Sequence, residues 1–180
     1  MCRIMNKMLI IIGCTIALGV FALQKHWIIV RNPLYTKSIS SKLNSATVVK
    51  KKVKLYYWHH GMWNHEEVQV VWPCDPADAL CCLLNKWLVL MADERLIDRI
   101  CLVESAVITS GQTAYVSFDY SPLAPNSSTG DKYLIIESAL KTVRESGLPI
   151  QAIHFLNRHQ NFDDPHLDFS FAWPICGFQT

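Results

Sequence analysis

Six apolar side chains, Leu80, Leu83, Leu84, Trp87, Leu88 and Met91, recur at three- and four-residue spacing, and this stripe constrains the fold more than any other feature. The period is that of one buried helix face. Asp75 stands where an N-cap is needed, Pro76 follows at the first helical position, and Asp78 lies in the first turn. A helix over Asp75–Met91 with so wide an apolar face needs a second layer to cover it, and the flanking sequence offers strands. Val53–His59 and Glu67–Pro73 are aromatic and β-branched runs around a loop with Gly61 and Asn64. Cys101–Thr109 and Thr113–Tyr120, joined through Ser110-Gly111-Gln112, read as a hairpin. In its second arm Ala114, Val116 and Phe118 face one way, and Tyr115, Ser117 and Asp119 the other. After the loop Ser121–Gly130, Asp131–Ser146 is a second amphipathic helix, stopped by Gly147 and Pro149, and Ile150–Leu156 is a fifth strand. The expected fold is a single α+β domain in the order ββαββαβ: a mixed sheet with two helices packed on one face, preceded by an N-terminal membrane segment.

Charge divides the chain. All 15 acidic residues lie at or after Glu66, whereas nine of the 17 lysines and arginines lie in the first 52 residues. With 51% apolar and only 18% charged residues, wholesale disorder is excluded. An acidic globular part does not suit a phosphate backbone, so nucleic acid is not an expected partner.

Met8–Leu23 is a run of sixteen residues without a charge, preceded by Arg3 and Lys7. As a helix it spans about 24 Å, short of a ~30 Å hydrocarbon core, and Gln24–Val30 at the interface would lengthen it. Three readings stay open: an uncleaved signal anchor, a cleaved signal peptide, and a lipoprotein modified at Cys14 after Ile11-Ile12-Gly13. The anchor is favoured, because the small residues near Gly19 and Ala22 make poor cleavage sites and the sequence stays apolar after Cys14. The organisation expected is a membrane segment at 1–30, a basic flexible linker at 31–52 ending in Lys50-Lys51-Lys52, a globular domain at 53–174, and a tail at 175–180. Lys25 and Arg31 balance Arg3 and Lys7, so charge does not choose the side of the membrane.

Lys54-Leu55-Tyr56-Tyr57, the Asp75–Met91 helix, Ala114-Tyr115-Val116-Ser117-Phe118-Asp119, the helix–turn–strand Ile135–Leu156 and His166-Leu167-Asp168-Phe169-Ser170 together resemble the GerMN domain of sporulation and spore-germination lipoproteins. The resemblance covers about residues 53–174. One departure lies after the last strand, where the family usually has an acidic-glycine turn and this chain reads Asn157-Arg158-His159-Gln160. The resemblance implies an extracytoplasmic, membrane-anchored bacterial module at the cell envelope, akin to small ring-building domains, with no known enzymatic activity and no cofactor.

Constellations that might carry chemistry are few. His59, His60, His65 and Glu66 crowd one loop and supply the alternative reading, an envelope hydrolase or metal-dependent enzyme. Neighbouring strand residues point to opposite faces, which argues against His59 and His60 sharing a metal. Cys74, Cys81, Cys82, Cys101 and Cys176 form no CxxC motif and read as free thiols before a disulfide or a nucleophile. Asp119, Asp163, Asp164 and Asp168 read as turn and strand-end carboxylates. Asn126-Ser127-Ser128 is formally a glycosylation sequon, discounted in a bacterial module. No catalytic, cofactor-binding or metal residue is assigned. The candidate contact surface is Tyr115 on the hairpin arm together with Phe162, Phe169 and Phe171, offered to an envelope protein or to a second copy, with the membrane engaged through Met8–Leu23.

Overall fold

The computed structural model describes residues 49–177, which fall within one compact unit, Thr47–Thr180. The elements run β1 (Lys50–His59), β2 (Met62–Val71), α1 (Pro76–Asp93), β3 (Val103–Ile108), β4 (Thr113–Phe118), α2 (Thr129–Ser146), β5 (Ala152–Asn157), β6 (Gln160–Asn161) and β7 (Trp173–Pro174). The α+β order expected from the sequence is present, with two short strands added at the end. Met8–Leu23 lies outside the described residues. Among those described, no helix is long and apolar enough to cross a membrane.

α1 forms as its sequence dictates. The Asp75 carboxylate accepts from the Ala77 amide at 2.8 Å, and the six stripe residues are buried together with Ala79 and Leu90. For α2 the cap is Ser128, inside the stretch read as loop: its Oγ accepts from the Asp131 amide at 3.1 Å and donates to the Asp131 carboxylate at 2.7 Å. This reciprocal arrangement starts the helix two residues earlier than its apolar period does. Gly147 closes it in the left-handed conformation, at φ 73°.

The strands depart from one mixed sheet. β1 and β2 pair only with each other, antiparallel from Lys50↔Val71 to His59↔Met62. The larger sheet has the order β3-β4-β5-β6, with β7 also on β5. It is mixed as expected: β3 and β4 are antiparallel, and β4 and β5 are parallel, a pairing that needs a crossover, supplied by α2. The hairpin stays separate because helices take up the backbone groups on β1's other edge. The Tyr56 amide donates to Thr142 Oγ1 at 2.9 Å, and the Tyr56 carbonyl accepts from Trp87 Nε1 at 3.0 Å. Val53, Leu55 and Val70 of the hairpin, the buried stripes of both helices, and Val116, Phe118, Ile153 and Phe155 of the larger sheet make one core.

The lysine run is not spacer. β1 begins at Lys50, three residues before the domain boundary expected at Val53. The Lys51 ammonium donates to the Ser146 carbonyl at 2.7 Å, at the negative end of α2, and lies 4.3 Å from the centre of the Trp72 ring.

Candidate functional site

Helices cover only one face of the β3-β4-β5 sheet. On β4 the inward residues Ala114, Val116 and Phe118 are buried, while Tyr115 is 41% exposed. Register brings Val107 of β3 and His154 of β5 directly opposite Tyr115. The Tyr115 and His154 rings stack, with centroids 5.2 Å apart and planes 14° from parallel. His154 Nε2 also lies 2.9 Å from Asn161 Oδ1 on β6, which fixes the imidazole orientation. Tyr115, His154 and the exposed Val107 therefore form an apolar and aromatic band across three adjacent strands.

The three phenylalanines offered with Tyr115 separate. Phe169 is 2% exposed and belongs to the core, packing 5.5 Å from the Trp173 ring and edge-on to Phe162 at 4.9 Å. Phe162 is half-buried and reaches Phe118 at 6.0 Å. These two rings fasten the closing segment to the core, Phe169 wholly and Phe162 in part. Phe171 is 60% exposed. Of the four candidates, Tyr115 and Phe171 face solvent, on separate parts of the fold.

A charged latch holds the same segment. Lys132 Nζ donates to Asp164 Oδ2 at 2.6 Å with the ammonium buried, and Asp164 Oδ1 accepts from the His166 and Leu167 amides at 3.0 and 3.2 Å. Burial pushes the Asp164 carboxyl up, but the Lys132 hydrogen bond and the two amides outweigh it and hold it below the usual carboxylate range. Lys132 is a buried cation at three- and four-residue spacing from Ile135 and Ile136, on the apolar face of α2. Only the return of Asp164 from 32 residues downstream makes its burial tolerable.

The departure after β5 is resolved in the same region. Arg158 and His159 are both left-handed, at φ 50° and 65°, in the two-residue turn between β5 and β6. Such turns favour glycine and asparagine. Here three contacts pin the strained backbone: the Arg158 amide to the Phe118 carbonyl at 2.8 Å, Arg158 Nε to the Asp119 carbonyl at 2.9 Å, and the His159 amide to Ser117 Oγ at 2.9 Å. The last bond explains why Ser117 is buried although it belongs to the outward set.

The histidine loop does not converge. His60 and Gly61 form the left-handed turn between β1 and β2, so His60 folds back and stacks on His59 at 3.9 Å. Strand alternation therefore fails to separate these two. His65, however, pairs with Tyr56, three residues along the strand from His59 and hence on the other face. His59 Nδ1 lies 3.4 Å from the Glu94 carboxylate at the end of α1. Among the described residues no three His, Cys, Asp or Glu side chains gather to hold a metal ion. Asp119 accepts from the Tyr120 amide at 2.8 Å and, across the hairpin, from the Leu102 amide at 2.7 Å, and Asp168 accepts from the Ser170 amide at 2.7 Å.

The five cysteines of the described region are free. Burial, aided by the Asp78 charge, pushes the Cys81 thiol up to about 11, and burial with Asp119 pushes Cys101 up to about 12. Both thiols are thus protonated at neutral pH, the reverse of a nucleophile's requirement. Iodoacetamide at neutral pH is expected to alkylate the exposed Cys74 and Cys176 first. Cys81 and Cys101 should react at least about a hundredfold more slowly until the chain unfolds, as read by peptide mass mapping.

No protein-family model matches the chain, and no curated protein matches it. Among solved structures, it is similar to the crystal structure of a candidate lipoprotein from Clostridium perfringens, with a TM-score of 0.42 and 15% identity, covering 72% of this chain and 91% of that one.

Proposed function

We propose that this protein is a membrane-tethered, non-catalytic interaction module of the bacterial cell envelope, GerMN-like in the pattern of its residues, with its globular domain outside the cytoplasm. The observation that carries the reading is the uncovered face of the β3-β4-β5 sheet, with Tyr115 stacked on His154 beside an exposed Val107. Aromatic residues held rigidly on a flat face contribute contact area at small cost in side-chain entropy, as interaction hot spots require. Tethering through Met8–Leu23 would raise local concentration, so a weak contact through this face suffices. The partner is an envelope protein or a second copy of the chain. Catalysis would need a nucleophile, base or metal with an orienting neighbour, and the buried Cys81 and Cys101 thiols, Asp164 on Lys132 and the diverging His59 and His65 support the non-catalytic reading.

A photo-crosslinking residue placed at Val107 is expected to give a discrete adduct in cells. The exposed change Tyr115→Glu, in a chain shown to stay folded, should reduce that adduct at least about tenfold. An adduct indifferent to Tyr115→Glu would remove the sheet face from consideration. Stoichiometric metal in the purified protein, lost together with cellular function on changing His59, His60 and His65 to alanine, would establish the enzyme reading instead.

A further inference from the structure

The two faces of the β1–β2 hairpin differ in kind. Val53, Leu55 and Val70 point into the core, and Tyr57 packs against it. Alternation sends Lys52, Lys54, Tyr56 and Trp58 to the other face, where cross-strand pairing adds Trp63 and His65. Trp58 and Trp63 are directly opposite and meet edge to face at 5.3 Å, and Tyr56 meets His65 at 5.5 Å on the neighbouring pair. From α2, Lys141 holds its ammonium 4.9 Å from the centre of the Tyr56 ring and 4.6 Å from that of Trp63. Tyr56, Trp58 and Trp63 are only half-buried, by one another and by Lys141.

Charge on this face opposes that of the rest. Residues 49–177 carry eleven lysines and arginines against fifteen acids. The outer hairpin face nevertheless has Lys50, Lys52 and Lys54 against Glu67 alone, which pairs with Lys52 at 3.3 Å, and Lys141 joins them from α2, where the Glu137 carboxylate lies within reach of its charge. We propose that the outer face of this hairpin docks on the surface of an anionic phospholipid bilayer. Tryptophan and tyrosine, apolar in body and polar at one end, favour the headgroup level. The lysine ammoniums meet lipid phosphates while their stems lie along apolar surface. Cation type favours lipid over a protein partner. All four cations are lysines, which are depleted at protein interfaces, where arginine is the enriched cation. This docking does not require Met8–Leu23 to span the bilayer, and the sheet face carrying Tyr115 is a separate surface.

The test uses the full chain with vesicles whose acyl chains carry bromine, a short-range quencher of tryptophan. Vesicles of phosphatidylcholine alone are compared with vesicles also containing phosphatidylglycerol. The anionic vesicles should produce extra quenching, which Trp58→Phe and Trp63→Phe identify as arising from those two rings. High salt should reverse it by screening. Each of Lys52→Gln, Lys54→Gln and Lys141→Gln should lower the docked fraction's equilibrium constant about fivefold, the effect of ~1 kcal/mol per surface lysine. Far-UV circular dichroism checks that each variant is folded. Quenching that is independent of lipid charge, or unchanged by the tryptophan variants, would overturn the proposal. So would a lipid-free dimer abolished by Trp58→Phe, which assigns the face to a second copy. Retention on neutral vesicles without the extra quenching leaves the tether standing and removes the hairpin's role. Association only with anionic vesicles removes the tether and keeps the hairpin.

Discussion

Trp87→Ala is expected to destabilise the domain by about 5 kcal/mol, measured as a shift of the urea midpoint at constant slope. The indole is 1% exposed in the core, with its Nε1 on the Tyr56 carbonyl of β1, so its removal leaves a cavity beneath the hairpin that the packed surroundings close only in part. Truncating a large buried aromatic costs about 3–5 kcal/mol. Loss of the Nε1 donor adds to this, because the Tyr56 carbonyl then keeps no partner on the edge of β1. Trp87→Phe separates the two effects: it retains most of the volume and should cost about 1–2 kcal/mol. A total of 5 kcal/mol is a third or more of an ordinary domain's stability of about 5–15 kcal/mol. A change under about half a kcal/mol in the alanine variant would mean that α1 does not present this face to β1.

Breaking the Lys132–Asp164 latch is the second large effect. Lys132→Met strands a carboxylate and Asp164→Asn strands a buried ammonium, and removing one partner of a buried pair costs about 3–5 kcal/mol. The lower figure, about 3 kcal/mol, is expected here, because Asp164 lies at the rim, 9% exposed, and its two amide donors remain. The double variant Lys132→Met with Asp164→Leu should recover most of the loss, since an apolar pair of similar volume needs no desolvation of charge. Acid acts on the same bond. The folded-state carboxyl lies below its unfolded value, so its contribution is fully present above about pH 4 and is lost as pH falls through the lower folded-state value. In the Asp164→Asn variant that part of the acid sensitivity should vanish. An unchanged acid transition would place the loss of stability on other carboxylates. Release of 162–173 exposes Phe162 and Phe169 before the main core opens, so limited proteolysis should cut there first in the single variants.

Local signals were enough for most of the fold. The apolar period, the Asp75-Pro76 start and the Gly147 stop fixed two helices, because a helix reports its buried face and its ends within a few residues. The 103–118 hairpin followed from alternation, which Ala114, Val116 and Phe118 obey. Signals that depend on partners far away were silent. The start of β1 at Lys50 was hidden because a lysine run reads as linker until the end of α2 and Trp72 are placed beside it. Separation of the hairpin from the larger sheet was hidden because alternation does not say which element satisfies a strand's edge. The Tyr115–His154 stack needed the parallel register of β4 and β5, which no residue of either strand encodes alone.

Sequence by itself thus determined the α+β order, the helix faces, the sharp division of charge and Tyr115 as an outward residue. Tertiary structure decided the rest. It buried Phe169 and half-buried Phe162, brought Asp164 to the buried Lys132, and put His65 on the far side of the hairpin from His59. It also gathered Trp58, Trp63 and Lys141 on one exposed face. The reason is one of range. Periodicity and capping are settled by bonds a few residues long, whereas the fate of a charge or an aromatic ring depends on which distant segment arrives to pair with it or cover it.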